Sequence, residues 1–293
     1  MLKWIKLSLV MVLGLQLSTV YAHSRWILPS HTILSGQEPE QITFDVSISN
    51  DLFYPDIPLG GKPQKHRQSS KQQPSMMSGL FESSYLQVIK PDGEDLSLRP
   101  RLINIGRKSV ASLLLEQSGT YRVMVQSEPI VFTVFKTKQG KKGRFLGKRA
   151  QWEDKIPAGA MVKTMSIFAN VETHVTRNDL SQAALKPQGK GLELKYHTHP
   201  NELFMGEAAQ FQFMLKGEPV TQPVSFTLVR EGTRHRNHRE PIRGKTDNTG
   251  LFSIDWPQPG FYLLEAEFVA KSSLSEIDED RFILFVTFEV NQE

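Results

Sequence analysis

From Gln41 to Ser49 the apolar residues Ile42, Phe44, Val46 and Ile48 alternate with polar neighbours, and a period of two puts every apolar side chain on one face of an extended strand. The same signal returns along the chain. Tyr85 to Ile89 leads into the turn Pro91-Asp92-Gly93, Ser112 to Glu116 leads through Ser118-Gly119 to Tyr121 to Val125, and Ile130 to Phe135 follows. Met161 to Thr176 carries Met165, Ile167, Ala169, Val171, Thr173 and Val175 on one face, which sets His174 on the opposite, wetter face. Beyond Lys186-Pro187-Gln188-Gly189-Lys190-Gly191 a second series begins, with strands at 192–196, 209–215, 224–229, 251–254, 262–268 and 282–290. Turn residues at short spacing with few helical stretches predict an all-β chain of two antiparallel β-sandwich domains. The boundary falls in that Pro/Gly/Lys-rich segment, giving independently packed domains at 23–186 and 191–293.

The first 22 residues read as a signal peptide: basic Lys3 and Lys6, an apolar stretch from Leu7 to Val20, then Val20-Tyr21-Ala22. About 14 apolar residues fall short of the roughly 20 that a spanning helix needs. Cleavage after Ala22 therefore starts the mature chain at His23, in the periplasm of a bacterial type of envelope, with no membrane span left in it. Losing Lys3 and Lys6 takes the formal charge from +4 to +2, which excludes nucleic acid as an electrostatic partner. The chain has no cysteine, so an exported fold must stand without disulfides, and any metal must be held by histidine, carboxylate, methionine or the N-terminus. Residues 60–79, rich in Gln, Ser, Lys and Pro, are expected to be a mobile loop. The basic, Gly-punctuated stretch 136–149 is expected to be a solvated loop, and the acidic run 276–280 a surface one.

Several segments together resemble a known family: His23-Ser24-Arg25-Trp26, Asn50-Asp51-Leu52-Phe53-Tyr54, Gly119-Thr120-Tyr121, Thr198-His199-Pro200-Asn201-Glu202-Leu203, Gly232-Thr233-Arg234 and Trp256-Pro257-Gln258-Pro259-Gly260. In order and spacing they resemble a periplasmic family described as a domain of unknown function and often labelled a nickel/cobalt uptake transporter periplasmic component. The resemblance spans nearly all of the mature chain. It implies Ig-like and transthyretin-like sandwiches, the latter for the second half, where Asp247-Asn248-Thr249-Gly250-Leu251-Phe252 fits the turn before a strand.

Processing at Ala22 would give His23 a free α-amino group, which can chelate a metal together with its own ring Nδ1. That pair resembles the brace of periplasmic copper carriers and of lytic polysaccharide monooxygenases, which adds a further imidazole. His199, in the family-like segment, is the preferred third ligand, with His197 two residues before it; His31, His174, His235 and His238 are further candidates. Met76-Met77 offers soft thioether ligands inside the 60–79 loop. There is no His-Glu-x-x-His, no Gly-x-Ser-x-Gly and no phosphate-binding Gly-rich loop with Lys, and no catalytic residue is expected. The leading expectation is thus a non-enzymatic accessory protein that binds nickel, cobalt or copper beside an uptake system. A non-catalytic module binding envelope glycan or an outer-membrane receptor, using basic loops with Trp26 and Trp152 exposed, is the alternative. A copper oxidase ranks third.

Overall fold

A computed structural model describes residues 23–62 and 79–292. The expected signal segment, residues 63–78 of the expected loop, and Met76-Met77 within it lie outside the described residues. The architecture is three sheets in three layers. The outer first sheet has the order β1 (Ser24–Pro29), β3 (Glu40–Ser49), β7 (Ser109–Leu115), β6 (Ile103–Asn104), with β4 (Ile57–Pro58) beside β3. The outer third sheet joins β12 (Leu192–Tyr196), β13 (Ala208–Leu215), β14 (Glu218–Pro219) and β17 (Leu251–Asp255).

The middle layer is one ten-stranded sheet built from both halves of the chain. Its pivot is β11 (Met161–Arg177), whose early residues pair with β9 (Ile130–Lys136) and whose last five pair with β8 (Gly119–Gln126). On its other side β11 runs parallel to β19 (Glu279–Val290), from Met165 opposite Glu279 to Glu172 opposite Val286. Then follow β18 (Gly260–Lys271), β15 (Ser225–Arg230) and β16 (Ile242–Lys245). Period two distributes this layer between two cores. Phe282, Leu284, Val286, Phe288 and Val290 of β19 pack with the third sheet, whereas Phe285, with Leu263 and Val229, packs with Trp26, Val171 and Val175 in the first core.

Each half carries the same small device at the start of a strand. Gln117-Ser-Gly119-Thr-Tyr121 and Gln258-Pro-Gly260-Phe-Tyr262 each turn a tyrosine hydroxyl back onto the glutamine four residues earlier. Tyr121 Oη accepts from the Gln117 N–H at 2.8 Å and donates to its carbonyl at 3.1 Å, and Tyr262 Oη donates to the Gln258 carbonyl at 2.8 Å. This is the tyrosine corner of sandwich folds. Glycine is required between the two residues, since Gly119 and Gly260 adopt φ of +124° and +121°.

Four expectations change. Within 136–149, residues Lys142–Leu146 form β10, an edge strand paired with β9; Lys142 and Arg144 face water on it, so no apolar alternation betrays it. In the acidic run, Glu279 and Asp280 belong to β19 and are buried, with Glu279 paired to Lys163 and Arg281. Trp26 is fully buried, donating from Nε1 to Ser49 Oγ at 3.0 Å. His174 is buried too, because the third sheet covers the face of β11 that a lone sandwich would leave wet. No helix among the described residues is long and apolar enough to cross a membrane.

Candidate functional site

Two polar assemblies stand out, one inside and one at the start of β1. The inner one crosses the middle and third layers. Arg122 of β8 donates to Glu172 Oε2 from Nε at 3.0 Å and from Nη2 at 2.6 Å, and Nη2 also reaches Glu193 Oε1 of β12 at 3.2 Å. Tyr196 donates to the other Glu172 oxygen at 2.8 Å, while Glu193 accepts the backbone N–H groups of Gln188 and Lys190. Burial alone would lower the Arg122 pKa, but Glu172, Tyr196 and Glu193 outweigh it and hold it above its ordinary value. His174 lies edge-on to Tyr196, ring centroids 4.7 Å apart. Burial first, then Arg122 and His199, push its pKa well below 6.5.

His199 is a member of this interior. Its Nδ1 accepts the Asn201 N–H at 3.1 Å, which leaves the proton on Nε2, where it points to Thr120 Oγ1 at 3.0 Å and the Ser181 carbonyl at 3.2 Å. Both ring nitrogens are therefore engaged by the protein. His197 is exposed and does not share the His199 face: the N–H groups of His197 and Thr198 both bond the Gln210 carbonyl, at 3.1 and 3.0 Å, a bulge that interrupts the alternation.

His23 stands at the other end of β1. Ser24 opposite Ser49 opens the strand, whereas the His199 loop meets the chain beyond the strand's far end, Asn201 Nδ2 donating to the Thr32 carbonyl at 2.6 Å. Six extended residues at about 3.3 Å each separate the two ends by roughly 17 Å. The middle layer agrees. Ser24 hydrogen-bonds Glu265, opposite Phe285, while Thr32 bonds Glu289 four residues further along β19. The structure thus does not bring His23 and His199 together.

Around the N-terminal end it gathers three of the family-like segments. The Leu52 N–H reaches Thr233 Oγ1 at 3.2 Å, Arg234 Nε reaches Asp51 at 3.1 Å, and Tyr54 Oη meets His235 Nε2 at 3.0 Å. Phe53, at the positive φ of 61° that a bulky residue rarely adopts, is wedged between Trp26 and Phe261. Three polar atoms here are enclosed and have no hydrogen-bond partner among the described residues: His23 Nδ1, Glu265 Oε1 and Arg236 Nε. Glu265 is nearly all buried, and burial raises its pKa against the opposing pull of Ser24 and Arg239. No group of three or more His, Asp or Glu side chains fit to hold a metal lies among the described residues, so a metal at this end must draw on a donor other than side chains. Glu265 had no sequence signal: it alternates within Tyr262 to Phe268 like any outward residue, and only the first sheet's placement over β18 buries it.

A family model described as a domain of unknown function, DUF4198, matches residues 20–270. No curated protein matches the chain. Among solved structures, a DUF3823 family protein from Bacteroides uniformis is 10% identical over 71% of this chain and 89% of its own, with a TM-score of 0.22.

Proposed function

The chain belongs to the DUF4198 family, and from its N-terminal end we propose that it is an exported, non-catalytic protein that binds a divalent transition metal, nickel, cobalt or copper, through His23 after cleavage at Ala22. It would serve an uptake system of the envelope as carrier or accessory. The observation that supports this is His23 Nδ1, enclosed and without a partner among the described residues. A buried polar atom normally has a partner, and one that does not points to something the side chain still has to meet. Nδ1 is the ring atom that closes a chelate with the residue's own α-amino group. That group binds metal only by giving up a proton from a pKa near 8, so affinity should rise with pH.

The chain as expected from sequence used His199 as the further ligand. Its two nitrogens are bonded inside the protein, so binding should not depend on it. The test is isothermal titration of Ni²⁺ and Cu²⁺ into three forms of the exported protein: native N-terminus, one extra N-terminal residue, and His23→Ala. The native form should bind stoichiometrically, and each change should weaken binding at least about tenfold, or 1.4 kcal/mol. Equal binding by all three, or a mature chain that begins elsewhere by intact mass, would overturn the reading.

A further inference from the structure

We infer that Glu265 is the third donor of this site: the α-amino group and Nδ1 of His23, with the carboxylate of Glu265, form one nitrogen, nitrogen, oxygen set for a divalent transition-metal ion. This rests on the function proposed above and supplies the ligand that the amine and imidazole lack. Three observations meet at Glu265. Its side chain is nine-tenths buried, yet Oε1 has no partner among the described residues. Leaving a buried carboxylate oxygen unpaired is costly, and a cation removes that cost. Its position is fixed by a hydrogen bond with Ser24, whose Cα is about 3.8 Å along the chain from that of His23. Finally, His23 Nδ1, on the residue next to Ser24, has the same defect; Arg236 Nε, which shares it, belongs to a cation and cannot act as a ligand.

The chemistry is consistent with the donor set. Two nitrogens and one carboxylate oxygen suit nickel, copper or zinc better than calcium or magnesium. The carboxylate also supplies the negative charge that a neutral amine and a neutral imidazole cannot. Arg239 acts electrostatically on the same carboxylate, so a bound cation competes with it. That competition separates a ligand from a mere strand contact, since a structural Glu265 would not link Arg239 to metal affinity.

The experiment titrates Ni²⁺ and Cu²⁺ into the full mature chain carrying its native N-terminus, as wild type, Glu265→Gln and Arg239→Gln, with EPR of the Cu²⁺ forms. Glutamine keeps the size and the acceptor for Ser24, and an unchanged urea midpoint establishes that the variant is folded. Expected are at least about a tenfold loss of affinity in Glu265→Gln, a gain in Arg239→Gln, and nitrogen hyperfine structure that persists while the g-values shift. If His23→Ala abolishes binding but Glu265→Gln and Arg239→Gln leave it unchanged, Glu265 is no ligand while the His23 reading stands. If the native chain binds neither ion, both fall. If Glu265→Gln alters only the stability gained on processing, the carboxylate receives the α-ammonium alone, and the inference is overturned.

Discussion

Arg122, Glu172 and Glu193 are as deeply buried as any leucine of the cores, and such a triad survives only because each charge has its partner. Removing one leaves the others stranded, so Arg122→Met should cost about 3–5 kcal/mol in urea unfolding, although the methionine fills similar space. A cost below about 1 kcal/mol would mean that water reaches the carboxylates. His174 gives the same interior a pH dependence. Its folded pKa lies below the unfolded value of 6.5, as does that of His199, so below about pH 6.5 the unfolded chain binds protons that the folded chain refuses. Stability should hold at higher pH and fall as the pH drops from 6.5 towards the folded values. His174→Leu should flatten part of that fall, read as urea midpoints at pH 7.5 and 5.5. None of this was legible beforehand, because Arg122 lies 50 residues from Glu172 and 71 from Glu193, and pattern reading registers only near neighbours. His174 was placed on the correct face of β11, and what the sequence left out was the second sheet on that face.

The strands themselves were legible wherever apolar residues alternate over five or more positions. Leu192–Tyr196 and Tyr85–Ile89 appear with the expected bounds. Strands with a single large apolar residue on the covered face, such as β10, where Phe145 stacks on Phe135 and Trp152, or that span two residues, such as β4 and β6, carry no such pattern. The tyrosine corners lie between these cases. Both Gly-x-Tyr pieces stand in the sequence, and what makes them corners is the bond to the residue four positions back. Tyr262→Phe removes one donor and should cost about 1 kcal/mol, while Tyr121→Phe removes a donor and an acceptor and should cost roughly 1–2 kcal/mol. Thermal or urea unfolding of the two variants side by side checks the order. If Tyr262→Phe proves the more damaging, the hydroxyl bonds do not set the cost of these corners.

At the scale of the molecule, the segment 186–191 has two properties that sequence reasoning treated as one. It is rich in Pro, Gly and Lys and exposes Lys190, so a protease that cuts after lysine has access there, whereas Pro187 shields the bond after Lys186. Yet the strands it separates belong to one sheet: β11, which precedes it, lies against β19, the last strand of the second series, over eight residue pairs. Fragments ending at Lys190 and starting at Gly191 would each expose a long edge and half of an apolar face if they parted, and such edges are costly in water. The Arg122 seam adds buried charges on both sides of the cut, with Glu193 gripping the backbone of Gln188 and Lys190. Limited proteolysis there should therefore yield two bands on a denaturing gel and a single species by size-exclusion chromatography. Separation should need denaturant, and the second fragment made alone should aggregate or expose β19 amides to rapid hydrogen exchange. If the second fragment instead stays monomeric, with β19 protected as in the whole chain, the parallel pairing contributes little, and the two sandwiches fold as independent units that merely touch.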